Sequence, residues 1–101
     1  MMRLLKGGTV VSGKGLRQMD VLIDETTGTV SAVKQHIGGP AEDGAVTVVD
    51  VTGKLLFPGF IDAHTHFDLH VAGTVTADDF KSGSRAAISG GTTLVIDFAT
   101  Q

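Results

Sequence analysis

Pro58-Gly59 divides this chain into two stretches of different pattern, and that change constrains the fold more than any other feature. Before it, apolar residues come in short runs broken by glycines and polar turns. After it, a strand, a loop, a helix and a second strand follow one another, which is the order of a parallel β-sheet unit. Residues 3–12 read as two short strands around Gly7-Gly8, a pair that tolerates the positive φ of a tight hairpin. A second pair starts at Asp20: Val21-Leu22-Ile23 runs into the polar turn over residues 24–28, and residues 29–34 alternate as its return strand. Residues 38–44 form a loop by composition, and residues 46–51 and 54–57 read as two more strands separated by Thr52-Gly53. Residues 1–57 are therefore expected to form most of a small β-sandwich or a sheet buried on one face.

The second stretch, 58–101, opens with a buried strand over residues 60–65 and a loop over 67–75. Thr76-Ala77-Asp78-Asp79 has the spacing of a capping box, with aspartate at its last position. The helix that it opens places Phe80, Ala87 and Ile88 at helical spacing, with Gly83 and Ser84 small enough on that stripe for close packing. Gly90-Gly91 stops it, and residues 92–98 are strongly β-prone. Asp78 and Asp79 are expected in the first helical turn, where negative charge favours the helix dipole, and not as an acid/base pair.

Composition narrows the function classes. With 101 residues, 42% hydrophobic and 19% charged, the chain is long enough for a modest core. Its net charge of −3 comes from 11 acidic and 8 basic residues spread along the sequence, with no basic stripe, so neither nucleic acid nor an anionic membrane is the expected partner. No apolar run approaches the ~20 residues of a membrane span, and the charged start lacks the apolar core of a signal peptide, so a soluble, cytoplasmic protein is expected. Cysteine is absent; any metal must be held by histidine and carboxylates.

His64 and His66 are the residues with chemistry to offer. Alternate strand residues share a face, roughly 6.6 Å apart along the chain, so two imidazoles can converge on one ion. Buried on an inward face, they are costly unless their nitrogens are paired. Asp62 precedes them by two residues and either orients a ligand or makes a structural hydrogen bond near the strand start. Asp97 ends the second strand, where a hydrogen bond to a loop backbone explains it as well as a functional role does. His36 falls on a sheet edge and is not expected to be a ligand.

Pro58-Gly59-Phe60-Ile61-Asp62-Ala63-His64-Thr65-His66 resembles the amidohydrolase-superfamily signature on the first strand of a metal-dependent (β/α)8 barrel, the TIM-barrel fold. The continuation GTVTADDFKSGSRAAISGGTTLVIDF over residues 73–98 narrows the resemblance to dihydropyrimidinases and D-hydantoinases, whose N-terminal β-sandwich segment residues 1–57 also resemble. The resemblance implies a hydrolase that opens the ring amide C–N bond of a dihydropyrimidine or hydantoin to give an N-carbamoyl amino acid. It further implies two divalent ions, usually Zn2+, bridged by a carboxylated lysine and a hydroxide, with His64 and His66 binding one ion. Later strands of such enzymes supply the lysine, two more histidines and a proton-shuttling aspartate. The family is usually homotetrameric.

Neighbouring families differ in instructive ways. Dihydroorotases follow the second histidine with Leu-Arg, where arginine holds the substrate carboxylate; Phe67-Asp68 stands here, so a neutral cyclic diamide is favoured. Dihydropyrimidinase-like scaffold proteins of the collapsin-response type lack the intact histidine pair. Hydantoinases read closer to Leu-Glu-Met-Pro-Phe where this chain has Phe67-Asp68-Leu69-His70-Val71, and that loop borders the substrate in the family. Phe67, Asp68 and His70 are therefore candidate substrate-loop residues, with His70 more readily explained as a solvated loop histidine.

A complete barrel of this kind takes about 250 residues. Residues 59–101 accommodate two of its eight strands, so the expectation is an α/β segment, the N-terminal portion of such an enzyme, inactive by itself and completed by the remainder of the barrel or by self-association. The alternative is a non-catalytic β-rich assembly module; among enzymes, allantoinase and dihydroorotase are the alternatives.

Overall fold

The computed structural model describes residues 1–38 and 45–98. The chain divides into two compact units, Met1–Pro58 and Gly59–Gln101. The first contains β1 (Met2–Lys6), β2 (Thr9–Ser12), β3 (Gly15–Gln18), β4 (Asp20–Asp24), β5 (Thr29–Lys34), β6 (Val46–Asp50) and β7 (Leu55–Leu56). They form a four-stranded sheet in the order β5-β4-β1-β6 and a three-stranded sheet in the order β3-β2-β7.

The hairpin expected around Gly7-Gly8 does not form. β1 pairs antiparallel with β4 and parallel with β6, whereas β2 pairs antiparallel with β3 and parallel with β7. The two glycines therefore carry the chain from one sheet to the other. Gly7 makes the turn at φ 83°, and a Cβ on Gly8 would come within 2.9 Å of the Val51 side chain. A parallel crossing runs alongside at residues 51–54, held by Val51 N–H donating to the Lys6 carbonyl at 2.9 Å and Thr9 N–H to the Lys54 carbonyl at 3.0 Å. Two adjacent crossings satisfy each other's backbone groups, which a hairpin at Gly7-Gly8 would leave for solvent.

Among the described residues of this unit, Leu4, 1% exposed, and Val51 are the buried apolar side chains, and Asp20 is buried as well. Its two carboxylate oxygens accept the backbone N–H of Gly7 at 2.9 Å and of Ile37 at 3.0 Å. Those donors, Ile37 first and then Gly7, hold the Asp20 carboxyl below the usual carboxylate range. The expected turn between β4 and β5 is present, with Asp24 accepting from Thr26 N–H at 2.9 Å and Gly28 at φ 70°. The loop expected over residues 38–44 lies, beyond Gly38, outside the described residues. β3 has no counterpart in the expected strands, because Gly15-Leu16-Arg17-Gln18 carries little apolar alternation and is exposed throughout.

The second unit holds β8 (Phe60–Thr65), β9 (His70–Val71), β10 (Thr74–Val75), α1 (Phe80–Ser89) and β11 (Thr92–Asp97). β11 pairs parallel with β8, with two register shifts, so the expected strand–helix–strand unit is present. The loop expected over residues 67–75 contains the small hairpin of β9 and β10. Its two-residue turn has Ala72 at φ 50° and Gly73 at φ 77°, the positive pair that a type I′ turn requires.

The capping box is displaced from its expected position. Asp79 is the N-cap: its carboxylate accepts Ser82 N–H at 2.8 Å, and the Ser82 hydroxyl accepts Asp79 N–H at 3.1 Å. The Thr76 hydroxyl is already engaged with Leu69 N–H, and Asp78 accepts the Ser82 hydroxyl at 3.0 Å, so neither aspartate lies within the first helical turn. Gly83 is the buried residue of α1; a Cβ there would meet the Phe67 ring at 2.6 Å. Phe80 and Ile88, expected to pack, are exposed in this unit. Among the described residues, no helix is long and apolar enough to cross a membrane.

Candidate metal centre

β8 was expected to be a buried strand, but only Thr65 is buried in it. Among the described residues β8 pairs with β11 alone, so one of its edges is open, and Phe60 to His64 are exposed along it. Thr65 faces inward, its hydroxyl donating to the Ile96 carbonyl at 3.2 Å. Strand alternation then turns His64 and His66 together to the opposite face, where both are exposed.

On that face the two Nε2 atoms approach to 3.2 Å, with the rings 5.1 Å apart at their centroids and 70° between planes. Two nitrogens each about 2.0–2.1 Å from one tetrahedral ion stand about 3.3 Å apart, so the pair fits two corners of a zinc-like coordination shell. Among the described residues, no set of three or more histidine, cysteine, aspartate or glutamate side chains could hold a metal ion.

The surrounding residues sort by what they touch. Asp62 accepts the backbone N–H of His64 at 3.1 Å and so braces the strand, not the imidazole ring. Asp97 accepts Phe67 N–H at 3.4 Å, the loop-backbone bond that its place at the strand end allows. Phe67 points to the helix: its ring lies under Gly83 and edge-on to Phe80 at 6.1 Å. Asp68, at φ 50°, donates its N–H to the Asp78 carbonyl at 2.8 Å, and its carboxylate lies 3.3 Å from Nε2 of the exposed His70. The candidate loop residues thus engage the helix entry and one another, not the histidine pair. His36 lies in the other unit, with Nδ1 3.9 Å from the Asp20 carboxylate.

With this geometry in hand, comparison with known proteins is specific. Residues 55–101 match the amidohydrolase family. The chain matches the N-terminal part of a dihydropyrimidinase or D-hydantoinase. It is 42% identical to a D-hydantoinase from Geobacillus stearothermophilus over 97% of its length, and 47% identical to a dihydropyrimidinase from Dictyostelium discoideum over 94%. The crystal structure of a dihydropyrimidinase from Brevibacillus agri superposes with a TM-score of 0.84 at 42% identity, covering 97% of this chain. The chain spans about a fifth of the length of these proteins: 20%, 18% and 20% respectively. A divalent metal is what the amidohydrolase family implies for the complete enzyme, and the paired nitrogens are donors of the right kind for one.

One residue of the centre escapes sequence patterning. Phe98 follows β11 directly, its N–H donating to the Thr65 carbonyl at 3.2 Å. Its ring lies 4.5 Å from that of His64 and 5.6 Å from that of His66. An aromatic at the end of a β-prone run looks like core; only the parallel pairing of β8 with β11 brings it beside the histidines.

Proposed function

We propose that this chain carries the first-strand metal ligands of a cyclic amidohydrolase that opens dihydropyrimidine or hydantoin rings to N-carbamoyl amino acids. The observation that carries the reading is the 3.2 Å separation of the exposed His64 and His66 Nε2 atoms at the end of β8. In this reading residues 1–57 belong to a β-sandwich, residues 58–101 open a (β/α)8 barrel, and the ion is zinc, held by His64 and His66. When bound, such an ion supplies a water acidic enough to attack at neutral pH and polarises the amide carbonyl. The chain's own contribution is to hold: Asp62 fixes the His64 backbone, and Thr65 anchors β8 to β11 between the two ligands. Phe67-Asp68 in place of Leu-Arg supports a neutral cyclic diamide over a substrate carboxylate.

Two imidazoles leave a catalytic zinc short of the three protein ligands it usually has, so the 101-residue chain is proposed to be inactive without further ligands. Zinc titration of the purified chain should show uptake that His64→Ala and His66→Ala each abolish, while His36→Ala and His70→Ala leave it unchanged. Uptake indifferent to His64 and His66 overturns the ligand assignment. Turnover of dihydrouracil or hydantoin by the isolated chain, with or without zinc, overturns its proposed inactivity.

A second reading has an observation of its own: Phe60, Ile61, Leu94, Ile96 and Phe98 are all at least half exposed. A non-catalytic assembly module would cover these residues by self-association and leave the histidines idle. A stable oligomer that takes up no zinc supports this reading; a zinc-binding monomer removes it.

A further inference from the structure

We propose that Phe98 is a positioning residue for the metal ligands: its ring, packed against both imidazoles, sets the convergence of their Nε2 atoms before any ion arrives. This rests on the metal-ligand reading of His64 and His66. The usual device for orienting a ligating histidine is a carboxylate, carbonyl or water on its other ring nitrogen. Among the described residues the hydrogen bonds place no side-chain or backbone partner on either imidazole other than its fellow, and the contact that Asp62 makes is with the His64 backbone N–H, not the ring. Exposed imidazoles with free second nitrogens would otherwise sample several rotamers.

Phe98 restricts that freedom from the side. Its centroid stands 4.5 Å from His64 at 47° between planes and 5.6 Å from His66 at 36°, within the range of favourable aromatic packing for both at once. Its place is secured by the backbone: Phe98 N–H donates to the Thr65 carbonyl, the residue between the two ligands. One strand end thus presents the donors and the neighbouring strand end presents the wall that sets their angle.

The test uses the 101-residue chain, zinc by calorimetry, cobalt by its visible absorption, and the ring-proton resonances of His64 and His66 in the metal-free chain. Phe98→Ala should weaken zinc binding about tenfold, the lower range for losing an orienting partner of a metal ligand. It should also alter the cobalt spectrum and shift both sets of ring-proton resonances. Phe98→Tyr should restore all three to near the wild-type values, and Ile96→Ala, an exposed apolar truncation on the same strand, should change none of them. Wild-type affinity, spectrum and resonances in Phe98→Ala overturn the proposal, as does equal weakening by Ile96→Ala, which marks a general loss of strand packing. Absence of histidine-dependent zinc uptake in the wild type is a different result: it overturns the ligand assignment, and with it any role of Phe98 in metal binding.

Discussion

Gly83 and Asp20 show how single residues control each unit. Alanine in place of an exposed helical glycine ordinarily stabilises by about 1 kcal/mol. At Gly83 the new methyl would stand 2.6 Å from a Phe67 ring already held by Phe80 and by the Asp97 bond to its backbone. Gly83→Ala should therefore lower stability by about 1–3 kcal/mol, the usual range for overpacking, in urea unfolding. Gly13→Ala, where the site is open space, should be tolerated on steric grounds, and a stabilised Gly83→Ala would refute the packing described. At Asp20, asparagine can accept only one of the two backbone N–H bonds, leaving a buried donor facing an amide. Asp20→Asn should cost about 1–3 kcal/mol at neutral pH. Because the folded carboxyl lies below its unfolded value of about 3.9, the stabilisation is complete above that pH and is lost as pH falls through the lower folded value. The stability difference between wild type and Asp20→Asn should thus narrow below about pH 4; a constant difference down to pH 2 counts against the assignment.

At the scale of elements, α1 depends on which residues cap it. Thr76-Ala77-Asp78-Asp79 and Asp79-Phe80-Lys81-Ser82 both have the three-residue spacing of a capping box, and sequence spacing does not choose between them. The fold chooses, because the Thr76 hydroxyl is occupied by the N–H of Leu69, near the start of the preceding loop. Asp79→Ala should consequently lower the thermal midpoint more than Thr76→Ala does, and the reverse order would return the cap to Thr76. The strand–helix–strand order after Pro58 was legible because apolar spacing of two, then of helical period, then of two again is a local property. The pairing of β1 and β2 was not. A Gly-Gly step between two apolar runs is equally compatible with a hairpin and with a passage between sheets, and the choice depends on β6 and β7, some forty residues later in the chain.

Across the molecule, the second unit leaves Ile61 64% exposed and Leu94 53% exposed beside Phe60, Ile96 and Phe98. Apolar residues next to an unpaired strand edge favour association. Sedimentation of the chain should show concentration-dependent assembly that Ile61→Ser and Leu94→Ser together diminish; a monomer at all concentrations would show that this surface is not adhesive. The sequence by itself determined the strand–helix–strand order after Pro58, the change of pattern at Pro58-Gly59, and the presence of two imidazoles at alternate positions at a strand end, because propensity, turn chemistry and periodicity act within a few residues. Only the tertiary structure decided which strands pair, which aspartate caps the helix, that the histidines are exposed, and that Phe98 stands against them. Those outcomes rest on contacts between residues distant in sequence, whose geometry no local pattern encodes.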